Sequence, residues 1–102
     1  MEKLLLLKHI ENKVIMAMYF KNEDQAIEWW INFPASNEWD IIHEGERAKS
    51  GHRWELNYSK SDERGELYTK YIICFSKKEA VILGKKIRKE NPAYTTNIKK
   101  LY

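Results

Sequence analysis

The chain has 102 residues, 43% hydrophobic and 32% charged, with a formal net charge of +3. That balance excludes a disordered or fibrous chain and suits one domain of ordinary size. With only 4 Gly and 2 Pro there is no composition for an internal linker, and the single cysteine excludes an internal disulfide. Cys74 sits inside the apolar run YIICF, where a buried inert thiol is the ordinary reading. The run Leu4–Leu7 is too short for a signal-peptide core or a membrane span. The expectation is a cytoplasmic protein with no membrane segment.

In chain order, Leu4–Ile10 and Val14–Phe20 flank the short Glu11-Asn12 connection and predict a hairpin. A leucine-rich helix over Lys3–Ile10 is the competing reading, because periodicity does not settle so short a run. Val14–Phe20 is apolar at nearly every position, as an interior strand would be. A helix is predicted from Asn22 to Phe33, with Asn22 or Asp24 as N-cap and Pro34 as its stop. Ala26, Ile27, Trp30, Ile31 and Phe33 form its core-facing stripe, with Trp29 at the margin.

Glu38–Glu44 alternates as a strand that could run to Arg47, and Gly45–Gly51 reads as loop at both ends. Trp54, Leu56 and Tyr58 alternate with Arg53, Glu55 and Asn57 across His52–Ser59, again a strand. After the polar hairpin Ser59–Gly65, Leu67–Phe75 is a long strand. A second helix spans Lys77–Glu90, with Ser76 and Glu79 as a capping box and Ala80, Leu83, Gly84 and Ile87 as its buried stripe. Gly84 would let that helix approach the sheet closely. Asn91-Pro92 ends it, and Tyr94–Leu101 is the last strand.

The pattern is a tandem ββαβ repeat within one domain over 1–102, with pseudo-repeats 3–47 and 52–102 aligned by the echo of FKNEDQAI in FSKKEAVI. The fold class expected is α+β: an antiparallel-dominated sheet of about six strands with two helices on one face, ferredoxin-like in character. Such layouts host enzymes, RNA binders and protein binders alike.

Catalytic motifs are not found. His9, His43 and His52 fall on three separate predicted strands without metal-ligand spacing, and neither a phosphate loop nor a nucleophile elbow is present. A His43–His52 pair with Glu44 is the one acid–base arrangement the loop allows. Asp62, Glu63 and Glu66 read as a solvated turn rather than a Mg²⁺ site. No catalytic residue, metal or cofactor is therefore assigned.

What remains is surface. Residues 77–102 carry 8 Lys and Arg against 2 Asp and Glu, a net +6, whereas residues 1–76 carry 10 against 13, a net −3. The leading expectation is a small non-enzymatic protein-binding module, an inhibitor or adaptor of phage or mobile-element type acting on a host protein. Its contact residues would be Trp29 and Ile82, off the buried stripes, with Lys85, Arg88 and Lys89 as an electrostatic rim. The alternative is nucleic-acid binding by Lys78, Lys85, Lys86, Arg88, Lys89, Lys99 and Lys100. Stacking on Tyr19, Tyr68 and Tyr94 across a helix-free sheet face is a further variant. Glu2, Lys3 and Lys8 on the first strand, or Lys99 and Lys100 on the last, would guard sheet edges, and either a monomer or a homodimer fits.

Overall fold

A computed structural model describes residues 1–47 and 53–101. The chain divides into two compact units, 1–49 and 50–102. The first runs β1 (Glu2–His9), β2 (Ile15–Phe20), α1 (Glu23–Asn32), a 3₁₀ turn (Ser36–Glu38) and β3 (Trp39–Arg47). The second runs β4 (Trp54–Ser61), β5 (Leu67–Cys74), α2 (Lys77–Glu90) and β6 (Thr95–Lys100). The six strands do not form one sheet: they make two antiparallel three-stranded sheets, ordered β2-β1-β3 and β5-β4-β6, with one helix packed on each.

In the first sheet the four consecutive leucines are the centre. Leu4, Leu5, Leu6 and Leu7 are all at most 2% exposed, so β1 is covered on both faces and is a strand, not a helix. Leu5 and Leu7 point to the α1 side, where Ala26, Met16, Met18, Phe20, Trp29, Trp30, Trp39 and Ile41 pack around them. The expected interior strand, Val14–Phe20, is instead the edge strand β2, with Tyr19 exposed. Because β1 is central, Lys3 is buried rather than an edge guard. Lys99 and Lys100 do lie on an edge, that of β6.

The two helices begin alike. Asn22 Oδ1 accepts from Gln25 N at 2.9 Å, and Ser76 Oγ accepts from Glu79 N at 3.1 Å. Ala26 and Ala80, each four residues beyond its cap, are both buried, where a small side chain lets the helix settle on the sheet. The caps align Phe20 with Cys74, one residue away from the Phe20–Phe75 match of the sequence echo. Phe20 pairs with Lys3, which pairs with Glu46; Cys74 pairs with Trp54, which pairs with Lys100. The echo fails because two similar phenylalanines say less about register than a cap and a buried alanine. A Cβ built on Gly84 would lie 3.4 Å from Leu56 Cδ1 and 3.6 Å from Thr96 Oγ1. That is ordinary contact, so the α2 packing does not demand glycine.

The hairpins differ. The turn between β1 and β2 places Lys13 at positive φ (61°), while His9 Nδ1 accepts from Glu11 N and Asn12 N. Between β4 and β5, Asp62 N donates to Glu66 O and Gly65 N to Asp62 O, with Gly65 at φ 82°. The Asp62 carboxylate accepts from Arg64 N and Glu66 N. The acidic turn is thus a backbone brace, a three-residue loop closed by a left-handed glycine. Gly65→Ala is expected to cost about 1–2 kcal/mol, since its backbone angle is unfavourable to any Cβ although nothing lies nearby. Thermal melting of the purified variant measures this, and an unchanged midpoint would contradict the turn geometry.

Candidate functional site

The units diverge where helix meets edge strand. α2 rests on all three strands of its sheet, whereas α1 packs chiefly on β1 and β2. In the second unit Arg88 Nη1 donates to Thr96 Oγ1, tying the last turns of α2 to β6. The residue equally far beyond the α1 cap is Pro34. Proline forces extended backbone on Phe33 (φ −76°, ψ 111°) and ends the helix at Asn32. The strand position matching Thr96 is Ile41, paired with Leu7 as Thr96 is with Tyr58. Among the described residues no polar bridge spans the gap, and a groove of about 110 Å³ opens between α1 and β3.

Leu5, Ala26, Trp30 and Ile41 line the groove, with Ile27 and Ile31 on its helix wall. These two isoleucines are 51% and 74% exposed. Burying such a side chain on a partner is worth about 1.5–3 kcal/mol. A β-bulge shapes the other wall. The register shifts between Leu6 and Leu7, leaving Ile42 unpaired, so that Trp39, Ile41, Glu44 and Glu46 share the helix side of β3 and His43 turns to the other. The unbroken alternation expected through Trp39, Ile41 and His43 is corrected accordingly. Glu44 lines the groove beside Lys3 and Glu23, and Lys3 Nζ lies 3.9 Å from Glu23 Oε1. Glu44 and Glu46 have no cationic partner among the described residues, so the rim is acidic.

Trp29 packs against the core of the first unit. It is half-buried, 5.3 Å from Phe20 and stacked at 4.6 Å on Phe33. It also lines an open hollow of about 370 Å³ with Gln25, Asn32 and Pro34. The helix is rotated from its expected setting because the ring of Trp29 meets the β2 aromatic Phe20, which swings Ile27 and Ile31 out. Trp29 thus packs on the core while Ile27 and Ile31 face solvent, the reverse of the buried stripe expected from the sequence.

Ile82 is 49% exposed on α2, and Lys78, Lys85 and Lys89 share its face at helical spacing. None of the three has an acidic partner among the described residues. The other basic candidates are dispersed. Arg88 is held by Thr96, and Lys86 Nζ is 3.4 Å from Glu90 Oε1. Lys100 and Lys77 stand 5.9 and 5.8 Å from the ring of Trp54, a cation–π pair the sequence reading missed. Lys99 pairs with Glu55 on the sheet face away from α2.

An aromatic platform is not assembled. Tyr94 is buried against Tyr58, Tyr68 donates to Asp62 Oδ2, and Tyr19 lies under the guanidinium of Arg47. Tyr71 is 62% exposed on the helix-free face. His9 packs edge-on against Trp39, and the proposed His43–His52 pairing lies outside the described residues because His52 does. Cys74 is buried. Among the described residues no three His, Cys, Asp or Glu side chains converge to hold a metal ion, and no helix is long and apolar enough to cross a membrane. No family model, curated protein or solved structure matches the chain.

Proposed function

We propose that the protein is a small non-enzymatic protein-binding module, an inhibitor or adaptor, that docks its partner on the groove between α1 and β3. The observation that carries this reading is the exposure of Ile27 and Ile31 beside Leu5, Ala26, Trp30 and Ile41, a concentration of large apolar side chains that water does not favour. The docking residues are then Ile27, Ile31 and Ile41, with Glu23 and Glu44 fixing orientation, in place of Trp29.

The double variant Ile27→Glu, Ile31→Glu tests it. Both positions are exposed, so circular dichroism and melting should change little. A partner captured by the wild type should bind the variant at least about tenfold more weakly, the loss expected when roughly 1.4 kcal/mol of burial is removed. Equal capture would refute the groove. Running the capture with and without nuclease addresses a second reading, favoured by the unpaired lysine face Lys78, Lys85 and Lys89 on a unit with twelve Lys and Arg against six Asp and Glu. Salt-sensitive retention of nucleic acid, lost when those lysines are neutralised, would transfer the assignment to α2.

A further inference from the structure

The groove and the outer face of α2 are complementary in both respects that decide docking. Each has isoleucine at its centre: Ile27 and Ile31 in one, Ile82 in the other. Each has a rim of one sign. Lys78, Ile82, Lys85 and Lys89 fall at i, i+4, i+7 and i+11, one narrow stripe of a helix. Glu23 and Glu44 line the groove, and Glu46 lies across from Lys3 on the same side of β3; Lys3 is buried and already beside Glu23, leaving the rim net negative. The units carry the same opposition at large: residues 1–49 hold six Lys and Arg against nine Asp and Glu, residues 50–102 twelve against six.

We propose that the occupant of the groove is helix α2 of a second copy of the chain, an inference resting on the groove being a docking site. Ile82 enters between the α1 isoleucines and β3, and the ammonium groups of its stripe meet the rim carboxylates, a helix-in-groove contact read through anchors one and two turns apart. Like-with-like contacts are excluded by charge: two α2 faces repel, as do two groove rims. The contact joins unlike surfaces, so reciprocal exchange closes a dimer and unreciprocated contact builds chains. In both cases mass rises with concentration and falls with salt.

Sedimentation equilibrium on the full chain tests this with two charge-reversed variants. Glu44→Lys with Glu46→Lys reverses the groove rim; Lys85→Glu with Lys89→Glu reverses the helix. All four sites are exposed, and circular dichroism verifies the fold. The wild type should self-associate, with the association constant falling about tenfold or more from low to high ionic strength. Each variant alone should be monomeric, and their equimolar mixture should associate again, because a positive groove now meets a negative helix and the reverse. A wild type that stays monomeric at all concentrations, or a mixture no more associated than its components, overturns the inference. If the wild type is monomeric yet Ile27→Glu, Ile31→Glu loses a protein partner, the docking reading stands and only the identity of the occupant falls.

Discussion

Replacing Tyr58 with alanine is expected to destabilise the second unit by about 3–5 kcal/mol, the range for deleting a fully buried ring. Tyr58 is 1% exposed on the central strand β4 and meets Tyr94 edge-on at 5.5 Å. Leu56, Ile72, Leu83 and Ile87 of the same unit are equally closed to solvent, so little is free to collapse into the space left behind. The edge-on contact adds about 0.5–1.5 kcal/mol beyond the area it buries. A small fold has roughly 0.05–0.15 kcal/mol of stability per residue, so this loss consumes much of the margin. Urea unfolding followed by far-ultraviolet dichroism measures it. Tyr58→Phe, which keeps the ring and removes only the oxygen, should cost about 1 kcal/mol. A Tyr58→Ala cost as small as that of the phenylalanine variant would show that the ring is not a core element.

The groove variants sit at the other extreme, because Ile27 and Ile31 contribute little to the folded chain by itself. This contrast between Tyr58 and Ile31 was not legible in the sequence, where both belong to apolar periodic patterns. Periodicity placed the helices and every strand but β1, which it left open to a helical reading, and Asn22, Ser76, Pro34 and the DERG turn marked boundaries through local chemistry that needs no tertiary context. What periodicity lacks is the partner of each strand. Whether six strands join in one sheet or two depends on pairings between residues far apart in sequence, and alternation reads the same in both. The centrality of β1 had a sequence signal in retrospect: four leucines in succession leave no face for water. The Ile42 bulge had a weaker one, two isoleucines breaking the alternation of β3, and it alone puts Glu44 on the groove side. Pro34 was read correctly as a stop. Its consequence, an uncovered strip beside Ile41, emerges only when α1 is set against the longer α2 and its Arg88–Thr96 tie.

Removal of the Arg47 guanidinium is expected to have the second large effect on stability, about 2–3 kcal/mol. Arg47 is 7% exposed at the end of β3. Its Nε and Nη2 donate to Glu2 Oε1 at 3.0 and 2.8 Å, and its guanidinium carbon lies 5.0 Å from the centre of the Tyr19 ring. Glu2 and Arg47 face each other across β1 and β3, so the pair fastens one end of the central strand to its edge neighbour. Arg47→Ala leaves the Glu2 carboxylate poorly hydrated with its partner gone; losing one member of a fully buried pair costs about 3–5 kcal/mol, and the side chain of Glu2 keeps 21% exposure, which lowers the figure. Lysine at 47 retains the charge but not the planar fork or the stacking on Tyr19, and should recover only part of the loss. The decisive comparison is Arg47→Met combined with Glu2→Gln. With both charges removed and volume kept, no carboxylate is stranded, and the double variant should melt higher than Arg47→Ala alone. Because this pair is shielded, its contribution should persist at high salt. The proposed α2–groove contact between exposed charges should fade under the same conditions. If the double variant melts no higher than Arg47→Ala, the loss comes from packing of the side-chain stem on Tyr19 rather than from the ion pair.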